Sequence, residues 1–113
     1  MNKARRKEIY KIIDKLYEVL HMLRSEKEFD IESIITDIIE LIQIVFDEEE
    51  CVMDNIPENL QSGYRYQQSE EACDNLYDAI DTLESAVDDY DEDEDIDWPH
   101  IISEAIQSLN NAT

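Results

Sequence analysis

Glycine, proline and cysteine are scarce in this chain of 113 residues, and each scarcity argues against a class of structure. One glycine and two prolines leave little material for tight turns, so a many-stranded sheet is disfavoured and long helices are favoured. Two cysteines, Cys51 and Cys73, are too few for a disulfide framework and too isolated for a zinc site. We expect reduced thiols in a cytoplasmic protein with a single domain over residues 1–113.

Long apolar runs are missing as well. The most apolar stretch, residues 31–46, has 16 residues and carries Glu32, Asp37 and Glu40. It is too short and too charged to cross a bilayer. The basic N-terminus is not followed by the apolar segment of a secretory signal. We therefore expect no membrane partner.

Positive charge is nearly absent from most of the chain. Residues 1–27 hold eight Lys or Arg against four Asp or Glu, whereas residues 28–113 hold 26 acidic residues against one cation, Arg65. The net charge of the whole chain is -21. Solubility alone is served by mixed signs and a much smaller net charge. We interpret the acidity as a surface that meets a basic partner.

The spacing of apolar residues predicts four helices and an all-α fold, as a small bundle or an elongated hairpin. The first covers residues 3–24. The second starts at a capping box over residues 25–28 or at Asp30, and it ends near Met53 ahead of Pro57. The third starts between residues 62 and 69 and ends near Tyr90. An acidic linker, about residues 88–97, precedes a last helix that Asp97 caps.

The third helix separates an apolar seam from an acidic face. Its seam residues are spaced four and three apart: Leu76, Ile80, Leu83, Val87 and Tyr90. At 100° per residue the opposite side holds Asp74, Asp78, Asp81, Asp88 and Asp89. Ordinary helix surfaces interleave Lys with Glu, but this helix has no lysine. Most neighbouring carboxylates of the row are roughly 4.5–6 Å apart along the axis, a spacing that a phosphate-binding groove can accept.

We predict a partner-binding surface made of this row and the acidic clusters at its two ends. Its members are Asp74, Asp78, Asp81, Glu84, Asp88 and Asp89, with Asp47, Glu48, Glu49 and Glu50 at one end and Asp91, Glu92, Asp93, Glu94 and Asp95 at the other. The predicted partner is a basic protein surface. The alternative is a solvated helix face that serves solubility alone.

The first helix carries a basic stripe at four-residue spacing: Lys3, Lys7, Lys11 and Lys15. Four lysines on one stripe could meet phosphates, but the 86 residues that follow position 27 would repel a nucleic acid. We expect no direct nucleic-acid binding. The stripe instead offsets repulsion from acidic helices of the same chain or of a second chain.

No residue pattern predicts catalysis, a cofactor or a metal site. The alternating aspartates of residues 91–95 resemble the start of a calcium loop, but Ile96 and Ile102 occupy the positions where that loop needs Gly and Glu. His100 and Glu104 could touch one metal ion, yet two ligands do not make a site. No nucleophile comes with a base and an oxyanion arrangement, and no Gly-rich phosphate loop is present. We expect a protein that is not an enzyme.

Several segments together resemble a known group of proteins. They are residues 1–7 (MNKARRK), 47–50 (DEEE), 54–62 (DNIPENLQS), 70–76 (EEACDNL) and 78–80 (DAI). The chain resembles small acidic helical proteins encoded by phages and prophages of Gram-positive bacteria, which generally have no assigned function. The PENLQ segment is the most specific part of the likeness. Residues 31–46 and the tail after Tyr90 depart from it.

The resemblance implies a phage or mobile-element origin and the cytoplasm of a bacterial host. Small acidic phage proteins often inhibit host defence enzymes by occupying nucleic-acid sites, and some anti-CRISPR proteins do this to Cas9. We therefore predict an inhibitor that mimics nucleic acid, with an anti-CRISPR acting on a Cas effector as the specific form. The alternative is a structural or scaffold homodimer whose acidity serves solubility, favoured by the wide apolar face of residues 31–46.

Overall fold

The structure, a computed structural model, describes residues 1–25, 29–90 and 96–113. These ranges contain four α-helices, a single-turn 3-10 helix at Glu58–Leu60 and no β-strand. The helices are α1 (Lys3–Arg24), α2 (Ile31–Asp54), α3 (Tyr64–Tyr90) and α4 (Trp98–Ala112). The all-α prediction is confirmed. None of the helices in these ranges combines the length and the apolarity that a bilayer crossing requires.

Side-chain caps explain where two of the helices begin. The carboxylates of Asp30 and Asp97 each accept a hydrogen bond from the backbone N–H three residues later, at 3.1 and 3.3 Å. Of the two starts predicted for α2, Asp30 is the correct one. The capping box at residue 25 is wrong, because Ser25 closes α1 and donates its hydroxyl to the carbonyl of Met22 at 2.8 Å.

The other predicted boundaries agree with the structure to within a residue or inside the predicted range. Helix α1 has the predicted limits, α2 runs one residue beyond Met53, and α3 starts at Tyr64 and ends at Tyr90. Asp88 and Asp89, which the sequence placed at the start of an acidic linker, belong to the last turn of α3. The rest of that linker, residues 91–95, lies outside the described residues.

The four helices pack in a ring in which each contacts the next along the chain and α4 returns to α1. Helices α1 and α2 are antiparallel, because Arg5 near the start of α1 pairs with Glu49 near the end of α2, and two aromatic pairs join the later helices. Phe46 near the end of α2 meets Tyr77 of α3 with ring centroids 6.4 Å apart, and Tyr90 at the end of α3 meets Trp98 at the start of α4 at 5.9 Å. Helices α1 and α3 therefore occupy opposite corners of a bundle that measures 54 × 27 × 18 Å.

All four helices contribute to one apolar core. Its largest fully enclosed apolar side chains are Ile9, Leu16, Val19, Ile35, Ile42, Leu76, Leu83, Ile102 and Leu109. The core does not use the whole apolar face of α2, because Leu41 remains 38% exposed and Ile44 56% exposed. The neighbouring helices therefore leave part of the apolar face of α2 in contact with solvent.

Candidate interaction surface

Every acidic residue of α3 is exposed. The eight are Glu70, Glu71, Asp74, Asp78, Asp81, Glu84, Asp88 and Asp89. Leu76, Ile80 and Leu83 of the seam are buried, so the helix turns its opposite side to solvent as its periodicity predicts. A helix of 27 residues extends over about 40 Å. The acidic row therefore lies on the solvent side of α3.

Little positive charge lies near this row. Arg65 is the one cation of α3, and it precedes Asp74 by nine residues, or about 13 Å of axial rise. The ion pairs that the structure shows among residues 1–25, 29–90 and 96–113 leave the carboxylates of α3 unpaired. Their charge is therefore offset by solvent and counter-ions rather than by neighbouring side chains.

Helix α2 adds carboxylates beside the row. Glu40 of α2 lines one groove with Glu84 and Asp88 of α3, above apolar Ile39 and Val87. The groove has a volume of about 370 Å³. An apolar floor with an acidic rim suits the aliphatic stem and charged head of a Lys or Arg side chain. The contact surface predicted from the sequence did not include Glu40.

A second cluster of carboxylates gathers around Cys73, where the end of α2 meets α3. Burial, and to a smaller extent the negative charges of Glu49, Glu50, Asp74 and Asp54, together raise the pKa of the Cys73 thiol from 9.0 to about 11. Four carboxylates from two helices therefore act on one buried atom. The end of α2 and the middle of α3 share one region of negative potential.

We call ten of the exposed carboxylates of these two helices the acidic face. Its members are Glu40, Asp47, Glu50 and Asp54 on α2 and Asp74, Asp78, Asp81, Glu84, Asp88 and Asp89 on α3. Predicted residues Asp91, Glu92, Asp93, Glu94 and Asp95 lie outside the described residues. The face presents carboxylates from two adjacent helices, where the sequence indicated a single row with clusters at its ends.

The cluster at the end of α2 is divided, and this corrects part of the predicted surface. Asp47 and Glu50 are exposed and stay in the acidic face. Glu48 is exposed but lines a crevice between α1 and α2, on the side of α2 away from α3. Glu49 has no exposed surface, so it cannot belong to a contact surface.

Glu49 instead forms the ion pair that joins the start of α1 to the end of α2. Its Oε2 accepts a hydrogen bond from Nε of Arg5 at 2.6 Å, and its Oε1 lies 3.5 Å from the Met1 nitrogen. The sequence carried a signal for this position. Glu49 follows the buried Ile35 and Ile42 at seven-residue spacing, which is close to two helical turns. That periodicity was overlooked because Glu49 lies within a run of four acidic residues.

The basic stripe of α1 is exposed along its length: Lys3, Lys7, Lys11 and Lys15. Its one ion pair among the described residues joins Lys11 to Glu8 of the same helix at 3.3 Å, with both side chains more than half exposed. Such a pair contributes little to stability. The stripe is thus a second charged surface, of the opposite sign, on the far side of the bundle.

The described residues contain no group of three or more His, Cys, Asp or Glu side chains placed to hold a metal ion. His100 and Glu104 form a pair on the surface of α4, with Nε2 and Oε1 3.0 Å apart. Two groups on one helix turn can attract a cation but cannot enclose it.

No protein-family model, no curated protein and no solved structure matches this chain. No relative therefore bears on its family or function. The resemblance to small phage proteins, which depends chiefly on residues 54–62, stays a prediction from the sequence.

Proposed function

We propose that this chain is a phage or mobile-element protein that inhibits a host defence enzyme by occupying its basic nucleic-acid-binding groove. The specific form of the proposal is an anti-CRISPR protein acting on a Cas effector in the bacterial cytoplasm. The chain binds and blocks, and it carries out no chemistry of its own.

The observation that supports the proposal best is the acidic face itself. Six carboxylates of α3 and four of α2 are exposed together, and the nearest cation on α3 stands about 13 Å from Asp74. Holding so many like charges together opposes compaction and is unnecessary for solubility. A basic partner that neutralises these carboxylates would offset the repulsion among them.

The physical basis of inhibition is competition for the same cations. A nucleic-acid groove holds Lys and Arg side chains that a duplex or single strand would neutralise, and carboxylates on a 40 Å helix offer an alternative set of negative charges. Long-range attraction between the two surfaces speeds their encounter. In the α2–α3 groove, Glu40, Glu84 and Asp88 can receive individual basic side chains.

The experiment that tests the proposal is DNA cleavage by guide-loaded Cas effectors of Gram-positive hosts, with the chain titrated in. We expect the chain to inhibit cleavage and to compete with DNA for binding. The triple variant Asp74→Lys, Asp78→Lys and Asp81→Lys should lose inhibition by about 100-fold or more, because three attractive contacts become repulsive.

A control variant with the same change in net charge tests whether the position of the carboxylates matters for inhibition. The variant Asp14→Lys, Glu58→Lys and Glu104→Lys changes the charge by the same +6 at exposed positions on α1, the 3-10 helix and α4. It should inhibit nearly as well as the unchanged chain. Equal loss in both variants would show that total charge, not this face, determines inhibition.

The second candidate function is a structural or scaffold homodimer, favoured by the exposure of Leu41 and Ile44 on α2. Such a protein needs no basic partner. Reversal of the acidic face would then leave its role in assembly intact, whereas disruption of the apolar surface would abolish it.

A further inference from the structure

A continuous crevice runs between α1 and α2 on the side of the bundle away from α3. It consists of two cavities of about 240 and 230 Å³ that share Lys15 of α1 and Leu41 of α2. Along α1 the lining residues follow one another at helical spacing: Glu8, Lys11, Ile12, Lys15, Glu18, Val19 and Met22. Along α2 they are Ile34, Asp37, Ile38, Leu41, Ile44, Val45 and Glu48.

Exposed aliphatic side chains line this crevice. Leu41 and Ile44 are 38% and 56% exposed, and partly exposed Ile34 and Met22 extend the apolar lining. Exposed leucine and isoleucine side chains next to each other on a helix usually mark a contact with another protein. Leu60 is the other large aliphatic side chain of comparable exposure in the described chain, and it lies on the separate 3-10 helix.

The charges beside the crevice identify what can cover it. The crevice is lined by two lysines of α1, Lys11 and Lys15, and by four carboxylates: Glu8 and Glu18 of α1 and Asp37 and Glu48 of α2. Elsewhere the surface of a chain with net charge -21 repels a second copy. Here both signs are present, so this is the side on which two copies can approach with attraction.

We propose that a second copy of this chain covers the crevice, with a two-fold axis passing near Lys15 and Leu41. Those two residues are the midpoint of the crevice, three or four residues from the next lining residue on either side. The axis brings Lys11 of each copy to the level of Glu18 and Asp37 of the other. Ile44 of each copy then comes to the level of Glu18, Val19 and Ile38 of the other, and each contact is made twice, as a two-fold axis requires.

This interface goes beyond the proposed inhibitory function and uses a different side of the molecule. Helix α3 lies at the corner opposite α1, so the α3 part of the acidic face stays uncovered in both copies. A dimer then presents two acidic faces directed away from each other. Loss of the dimer and loss of inhibition are measured separately, and either result can occur without the other.

The first experiment is the molar mass of the full chain by light scattering and sedimentation across the micromolar range. We expect a mass of twice 13.3 kDa. Ile44→Lys should raise the dimer Kd by about tenfold or more, because it places a charge in an apolar contact. Leu60→Lys is the matched control, since Leu60 has the same 56% exposure, and it should remain dimeric.

A mass of 13.3 kDa at every concentration overturns the inference, as does a dimer that Ile44→Lys leaves intact. Dissociation by Leu60→Lys alone also overturns it, because the interface then lies at the 3-10 helix. Both replaced residues are more than half exposed, so the variants should fold, which circular dichroism will verify.

The second experiment tests the two-fold axis itself. A residue near such an axis lies next to its own copy, so Leu41→Cys in a Cys51→Ser background should form a disulfide between copies under mild oxidation. Leu60→Cys in the same background should not. Cross-linking at residue 60 rather than 41 contradicts the proposed interface.

Discussion

The α1 side of the bundle and the acidic face show two different uses of charge. The α1 side carries exposed lysines beside a partly apolar crevice, whereas the acidic face carries ten carboxylates of one sign. The two surfaces do not neutralise each other, because α1 and α3 are at opposite corners. Side-chain charges of α1 and α2 pair directly at Arg5 and Glu49, and that pair is buried. The exposed charges therefore form two separate surfaces, and the buried Arg5–Glu49 pair is the one that stabilises the fold.

Breaking the Arg5–Glu49 pair should have the largest effect on stability. Arg5→Ala leaves a fully buried carboxylate without its guanidinium partner, and such a loss costs about 3–5 kcal/mol of unfolding free energy. The 12% exposure of the Arg5 side chain places the expected cost at the lower end of that range. Urea unfolding of the two proteins measures the difference.

The neighbouring arginine provides the control for that prediction. Arg6→Ala removes the same charge from an exposed position and should cost no more than about 0.5 kcal/mol. Replacing both members of the buried pair, as Arg5→Met with Glu49→Leu, should recover most of the stability. Equal effects of the two single changes would show that the pair is unimportant.

The burial of the Cys73 thiol among nearby carboxylates should affect the pH dependence of stability. Below pH 9 the thiol is protonated in both the folded and unfolded chains. Its pKa is about 11 when folded and 9.0 otherwise, so the unfolded chain loses this proton first as the pH rises. Stability should therefore fall between those two values, by up to about 2–3 kcal/mol.

Comparison with single variants isolates this effect from other groups that titrate in the same range. Stability of Cys73→Ala should fall less between pH 9 and pH 11 than that of the unchanged chain. Cys51→Ala should show the same fall as the unchanged chain, because Cys51 is exposed. Alkylation of the folded chain near pH 8 should likewise modify Cys51 much faster than Cys73. Similar alkylation rates for both thiols would contradict the burial and the raised pKa of Cys73.

Salt should have a smaller effect on the free energy of unfolding. Variants of the acidic face and of the basic stripe should change this salt effect in opposite directions. Raising salt from about 0.01 M to 1 M shortens the Debye length from about 30 Å to 3 Å and should stabilise the chain by roughly 1 kcal/mol. Replacing Asp74, Asp78 and Asp81 by Asn should reduce this gain, and replacing Lys3, Lys7 and Lys15 by Gln should increase it. Salt-independent stability in all three proteins would show that repulsion within the acidic face is negligible.

The sequence predicted the helices well because local spacing and caps determine them. The limits of α1, the end of α3 and its exposed side followed from three- and four-residue spacing, and the cap at Asp97 followed from its residue type. Spacing did not decide whether α2 starts at residue 25 or at residue 30. Serine can also close a helix by bonding to a preceding carbonyl, and Ser25 does so.

The interaction surface was harder to predict because it depends on which helices are neighbours. Glu40 lies beside Glu84 and Asp88 only once α2 and α3 are packed together. Glu48 and Glu49 are adjacent in sequence, yet one lines the α1–α2 crevice and the other is enclosed by the core. Composition identified an acidic surface, and packing determined which carboxylates belong to it.

The salt dependence of target binding tests the central claim most directly. The complex between the chain and a Cas effector that it inhibits should be measured from about 0.05 M to 0.5 M salt. If the acidic face occupies a basic nucleic-acid groove, Kd should rise by about tenfold or more over that range, because screening weakens contacts between exposed charges. An affinity that stays constant over the same range would contradict the account.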